Sequence, residues 1–337
     1  MNAAGPNQFI ADNDTRTFLQ KFGLRIFLVF IAAVFLYFAT TTDHYLTLDT
    51  LKAIVRDAAL VGIMAIGLTF VTLSGNFFLL SMKETAALCI IAFAMGMAND
   101  YGFILSLAGA VAIAAMAGAI QGALIGLGGN PIVVTLGAAG ILYGLAAWWS
   151  DNLVISYRRP HDAEWLGTGS LFGIPNITVA FIVIAIVAEW VLKKTSFGRQ
   201  VFLIGANRAA GKATGHENFS MAIKVCIIAS ICCAFVAVAF SAQLSSAQAN
   251  YFSSEFGSAG DYTILVIATV MVGGNSIMGG YGSTLRTSLG AVFISSVDYL
   301  MVLKGFASGA RVLSVGLMIV ASIIIFAYLR RGSRSEG

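Results

Sequence analysis

Charged residues are rare enough in this chain to act as punctuation. Uncharged stretches cover residues 58–82, 101–150, 225–254, 262–285 and 312–329. A helix crossing a bilayer needs about 20 apolar residues, so 101–150 holds two spans, broken near Gly128-Gly129-Asn130-Pro131. The pattern predicts an all-α polytopic membrane protein with about ten transmembrane helices. They fall at 26–42, 57–75, 84–99, 106–127, 131–149, 176–192, 223–244, 262–278, 287–303 and 312–329. The segments 84–99 and 262–278 are short and are candidates for broken or re-entrant pieces. Such pieces survive only where their free backbone groups face protein or a watery cavity. A transmembrane barrel would show alternating segments of about ten residues, and none is visible.

Composition agrees: 58% of residues are hydrophobic, mean hydropathy is +0.86, and 11% are charged, against about 25% in soluble domains. Lys and Arg placement then sets an orientation. With the N-terminus inside, cytoplasmic segments collect Arg16, Lys21, Arg25, Lys193, Lys194, Arg199, Arg208, Lys212, Lys224, Arg330, Arg331 and Arg334. External segments hold only Lys52, Arg56, Arg158, Arg159, Lys304 and Arg311. Both termini are therefore expected in the cytoplasm. The expected organisation is a cytoplasmic segment 1–25, a transmembrane domain 26–329 with a cytoplasmic segment at 193–222, and a tail 330–337. The first apolar run follows a polar stretch with Asp12 and Asp14 and leads to no small-residue cleavage site, so it reads as a retained span. Cys89, Cys226, Cys232 and Cys233 lie in predicted spans without metal-ligand spacing and read as buried free thiols.

No catalytic constellation is visible. His44, His161 and His216 are scattered through loops, and the metalloprotease, nucleophile-elbow and phosphate-loop patterns are missing. If ATP drives this protein, another chain binds it together with Mg. The glycine pairs Gly273-Gly274 and Gly279-Gly280 lack the strand–helix context of a dinucleotide site. In a membrane helix, glycines more often permit close approach.

One polar island, LIGANRAAGKATGHE at 203–217, interrupts the apolar pattern. Ala209, Ala210 and Ala213 favour helix, Asn207 suits an N-cap, and Gly215 suits a left-handed helix end. A short helix with a small apolar face fits a groove on a soluble partner, and Arg208, Lys212 and Lys224 can pair with acidic groups there.

Four segments, in order, resemble the ribose-type (monosaccharide) ABC transporter permeases. GNPIVVTLGAAGILYGLA at 129–146 is similar to their P-x-F-I-V-T-L-G…G-L-A segment, and GTGSLFGIP at 167–175 to their external G-x-G-x-x-x-G-I-P turn. Phe197-Gly198-Arg199 through Gly215 resembles their F-G-R…I-G-x-N-x-x-A-A-x-x-S-G signature. VGGNSIMGGYGSTLRTSLGA at 272–291 resembles their G-G-T-S-x-x-G-G-x-G-S signature. The likeness extends over about residues 55–328.

The resemblance implies an ABC importer permease fold in a bacterial inner membrane and a list of partners. These are ATPase subunits that bind ATP and Mg, a periplasmic solute-binding protein, and a second permease, copy or paralogue; lipid surrounds the bundle and nucleic acid has no part. It assigns ATPase coupling to Gly205, Asn207, Arg208, Ala209, Ala210, Lys212 and Gly215. Transport would proceed by alternating access, with Asn76, Phe77, Phe78, Thr135, Asn275, Ser276 and Asp298 as candidate pathway residues. There are departures. Where the family carries a G-G-x-D-L-S-type stretch, this chain reads Ser74-Gly75-Asn76-Phe77-Phe78-Leu79-Leu80-Ser81, without an acid. Phe77 and Phe78 either stack on solute or pack between helices. Lys83 and Glu84 follow and can neutralise each other. Arg286 replaces a common Gly, and Asp298 falls in an apolar run. Two alternatives stay open: an ABC permease for another solute such as branched-chain amino acids, and a stand-alone secondary transporter.

Overall fold

The computed structural model describes residues 47–76, 78–158, 161–171, 173–213, 218–253 and 261–332. The predicted span 26–42, Phe77 and Gly215 lie outside them. Six described helices are long and apolar enough to cross a membrane. They are α1 (Leu48–Leu73), α3 (Phe103–Gly126), α4 (Pro131–Trp149), α6 (Asn176–Lys194), α9 (Asn218–Leu244) and α11 (Thr284–Leu303). Shorter elements are α2 (Met82–Ala98), α5 (His161–Gly167), α7 (Ser196–Ala206), α8 (Arg208–Ala213) and α10 (Tyr262–Val272). The last helix is α12 (Ser308–Gly332), apolar over Ser308–Ala321. Among the described residues, strand is confined to two-residue pieces: β1 (Ile155–Ser156) pairs with β4 (Ser246–Ala247), and β2 (Ser170–Leu171) with β3 (Ile174–Pro175), both antiparallel. This is a multi-pass α-helical membrane protein.

α1 is the axis of the bundle. Every residue from 58 to 73 is buried, as expected of a helix that is apolar all round, and α6, α9, α10 and α11 pack around it. α1 begins nine residues before the predicted span at 57, so Lys52 and Arg56 are helical rather than in a loop. Thr47 explains this: its Oγ1 accepts from Thr50 N at 3.3 Å, and Asp49 adds an acid to the first turn.

α3 and α9 form the most extensively packed helix pair among the described residues. Gly118, Gly122 and Gly126 repeat every fourth residue. A methyl added at these positions would lie 2.6 Å from Cys226 O, 2.6 Å from Ile223 Cα and 2.7 Å from Phe219 Cα. Only hydrogen lets the two backbones meet this closely, and in lipid such packing drives association. Ile104, Met116, Ile120, Leu136, Ile141, Ile182 and Ile186 on α3, α4 and α6 point outward. The four cysteines are free, three of them fully buried.

The bundle has two distinct ends. The C-termini of α1, α3 and α6 meet the N-termini of α9 and α11 at one end, where α7 and α8 also lie. At the other, Tyr157 Oη and Ser241 Oγ are 3.1 Å apart beside the β1–β4 pair, and Asn176 Nδ2 donates to Trp165 O at 2.6 Å.

Candidate functional site

The polar island and the glycine-rich loop 273–283 meet at the C-terminal end of α1. α7 starts after Thr195, whose Oγ1 accepts from Gly198 N at 3.2 Å, and it ends at Asn207. Asn207 then caps α8, accepting from Ala209 N through Oδ1 at 2.9 Å. Gly205 lies against α1 so closely that a methyl there would overlap Leu73 O and sit 2.7 Å from Gly280 N. The same Leu73 carbonyl accepts from Gly280 N at 3.0 Å. Gly75, Gly279 and Gly280 all have positive φ, at 76°, 87° and 74°, a backbone that side-chain-bearing residues rarely adopt. Three chain segments thus share one joint.

Arg208 locks this joint from the α8 side. Its Nη2 donates to Gly75 O at 2.6 Å and to Asn76 Oδ1 at 3.2 Å, while Asn76 Nδ2 donates to Ser74 Oγ at 2.9 Å. A residue assigned to coupling and one assigned to the pathway therefore touch. Asn76 is fully buried beneath α8. Ala209 is exposed, and Ala210 and Lys212 lie in α8.

The glycine loop is braced from inside. Asn275 Nδ2 donates to Val270 O at 3.0 Å and to Thr287 Oγ1 at 2.8 Å, and its Oδ1 accepts from Ser283 N at 2.8 Å. Thr287 Oγ1 and Thr69 Oγ1 are 2.8 Å apart, which ties the loop to α1. Ser276 N donates to Tyr281 O at 2.9 Å, closing a tight turn. Asn275 is a structural brace here, while Ser276 is half-buried. The predicted segment 262–278 is helical only to Val272, because Gly273-Gly274 end α10.

Other candidates sit apart from the joint. Thr135 is buried and donates back to Pro131 O within α4 at 2.8 Å. Phe78 packs against the apolar core. Asp298 is committed to Arg311 in a two-pronged pair, with Nε–Oδ1 and Nη2–Oδ2 both 2.8 Å, which clips α11 to α12. Arg286 donates to Tyr281 Oη at 2.9 Å and stacks over the same ring.

Glu189, which the sequence did not single out, is the most heavily bonded carboxylate among the described residues. Oε1 accepts from Ser283 Oγ at 2.8 Å, and Oε2 accepts from Thr284 N at 2.8 Å, Thr284 Oγ1 at 2.7 Å and Leu285 N at 3.3 Å. Lys193, one turn along α6, lies 2.6 Å from Oε1. The N-terminus of α11 is thereby capped by the helix that leads into α7. The available signal was an acid inside an otherwise apolar span.

The chain is 27% identical over 317 residues to the autoinducer 2 import system permease protein LsrC of Enterobacter sp. (strain 638), covering 94% of this chain and 90% of that one. It is 28% identical to the probable ABC transporter permease protein YphD of Escherichia coli (strain K12), covering 88% and 87%. It is 26% identical to the ribose import permease protein RbsC of Haemophilus influenzae, covering 85% and 87%. No solved structure matches the chain. Residues 50–322 match one family across the bundle and the joint alike, and the chain belongs to it: the branched-chain amino acid transport system / permease component family.

Proposed function

We propose that this chain is the transmembrane permease subunit of an ATP-driven importer for a sugar or sugar-like polar solute, working by alternating access. The relatives named for ribose and autoinducer 2 import support the solute class. Separate ATPase subunits bind ATP and Mg and dock on α7–α8, a periplasmic binding protein delivers solute, and a second permease completes the path in a bacterial inner membrane. Gly137 and Gly144 support a helix partner on α4, since a methyl at either of them meets nothing within 4 Å.

The carrying observation is the joint. Gly205 packs on Leu73 while Arg208 binds Gly75 and Asn76, so displacement of α7–α8 is transmitted to α1 and the glycine loop together. Packed interfaces of this kind switch rather than bend.

Reconstitution tests the reading. Solute uptake into proteoliposomes is expected only when the ATPase subunits and binding protein are added. Ala209→Glu, which places a charge on the exposed face of α8, is expected to abolish ATPase co-purification while the permease still inserts. Uptake driven by a proton or sodium gradient with this chain alone would replace the reading with a secondary transporter.

A further inference from the structure

A cavity of about 410 Å³ opens between the first turn of α2, the middle of α4 and the turn at 249–253. That volume falls within the roughly 300–1,000 Å³ range of small-molecule sites. We propose that this cavity is where solute contacts the permease in transit, and that it selects neutral polyhydroxylated solutes over anions and amino acids. The inference rests on the permease reading above and names the residues that reading leaves unassigned.

Depth is the first argument. Asp261 caps α10, accepting from Thr263 N through Oδ1 at 2.9 Å, and Lys83 Nζ is hydrogen-bonded to Asp261. α10 runs 11 residues from this cap to the glycine loop at the joint, a rise of roughly 16 Å. The charged cluster is therefore set back from that end by that rise along α10, which for a helix near the membrane normal is about half of a ~30 Å hydrocarbon core. Ionisable groups at such a depth mark solute paths more often than structure.

The chemistry of the lining is the second. Lys83, Glu84, Gly140, Tyr143, Asn250 and Phe252 border the space. Lys83 Nζ donates to Asp261 and lies 3.6 Å from Glu84 Oε1, an ion-pair contact longer than a hydrogen bond, so it keeps donors to spare. Glu84 Oε2 is buried and accepts no hydrogen bond. Tyr143 Oη donates to Asn250 Oδ1 at 2.8 Å, which leaves the phenol oxygen as acceptor and the amide N–H groups as donors. A hydroxyl both donates and accepts, so adjacent hydroxyls of one solute can pair with a spare Lys83 proton and the Tyr143–Asn250 pair, and with Glu84 Oε2 once that side chain turns toward the space. The half-open Tyr143 ring offers a face for carbon-bound hydrogens.

Charge supplies the selectivity. The cluster holds one cation and two carboxylates, and Lys83 is the single cation among the described lining residues. A solute carboxylate or phosphate would meet net negative charge, with the sole cation already covered on two sides. An amino acid carries such a carboxylate; a sugar does not.

The test uses the full chain in lipid nanodiscs and saturation-transfer NMR, which detects weak binding, with D-ribose, erythritol, gluconate and leucine as probes. Saturation is expected on ribose or erythritol and not on gluconate or leucine. Glu84→Gln and Tyr143→Ala are expected to weaken it about tenfold. Gly140→Leu, which fills the cavity without touching a charge, is expected to abolish it and guards against a charge variant that misfolds. Absence of any polyol signal, equal signal from leucine or gluconate, or a polyol signal unchanged in all three variants would overturn the proposal. Association with the ATPase subunits is measured in parallel. A polyol signal that follows the variants supports the cavity whether or not docking occurs, so the two readings fail separately.

Discussion

Glu189 accepts two hydrogen bonds from Thr284, one from its backbone N–H at 2.8 Å and one from its hydroxyl at 2.7 Å. The carboxylate and the start of α11 are 95 residues apart in the chain, yet they form one unit at the end where α6 turns into α7. Removal of the carboxylate leaves the buried Thr284 and Ser283 hydroxyls and the first α11 amides without their acceptor. Glu189→Ala is expected to destabilise the subunit by about 3 kcal/mol, as a charged helix cap with several bonds. Lys193 is 60% exposed, so Lys193→Ala is expected to cost only about 0.5 kcal/mol. Thermal unfolding of both variants in nanodiscs checks this. Equal shifts would mean that the ion pair, not the cap, matters.

Gly205→Ala probes the joint by sterics alone. The added methyl overlaps Leu73 O, so either α7 moves away or the Gly280 N–Leu73 O bond breaks. The expected cost is about 2 kcal/mol, with α7–α8 becoming protease-sensitive. Gly109→Ala on α3 is the control, since a methyl there meets nothing within 4 Å. That change is expected to stabilise the helix by about 0.5 kcal/mol. Limited proteolysis and melting temperature together decide; a fully tolerated Gly205→Ala would remove the close-packed joint from the mechanism.

What was legible in the chain followed local rules. α4 runs from Pro131 to Trp149 as predicted, because Asn130 caps it, accepting from Ile132 N at 3.0 Å, and Pro131 suits the first turn. Asn207 was readable as a cap for the same reason. α1 was cut short because Lys52 and Arg56 resemble loop charges, whereas their helix is set by the Thr47 cap upstream. The harder failures were long-range. Asp261 and Lys83 are separated by 178 residues and Glu189 and Thr284 by 95, and no periodicity reports such partners. Asn275 read as a pathway residue because polar groups near glycine pairs suggest a cavity. Its bonds to Val270 O, Thr287 Oγ1 and Ser283 N are partners that the glycine pattern does not report.

Asp298 and Arg311 form a testable pair. An unpaired acid within an apolar run is a pathway candidate by default, but here both oxygens face the guanidinium and Arg311 is buried. Removal of either partner leaves a poorly solvated charge. Asp298→Ala and Arg311→Ala are each expected to cost about 3 kcal/mol, and the double variant less than their sum, with a coupling of about 2 kcal/mol. A double-mutant cycle on unfolding gives the number. If instead Asp298→Asn leaves stability intact and lowers uptake, the residue belongs to the path and not to the clip.

Arg208 separates stability from coupling. Its guanidinium spans Gly75 O and Asn76 Oδ1 from an exposed position, and Lys, with one ammonium on a flexible stem, cannot reproduce that fork. Exposed bonds of this kind contribute about 1 kcal/mol to folding, so Arg208→Lys and Arg208→Ala are expected to melt close to the parent protein. Transmission is another matter. If α7–α8 carries the ATPase subunits as proposed, loss of the α8-to-α1 link leaves only the Gly205–Leu73 contact to pass their movement to Leu73–Asn76. Uptake in proteoliposomes is therefore expected to fall about tenfold, the equivalent of roughly 1.4 kcal/mol of lost linkage, while ATP hydrolysis by the assembled complex continues. Uptake and hydrolysis measured on the same preparation decide. Parallel loss of both would place Arg208 in docking, and retention of both would make the bond to Gly75 incidental.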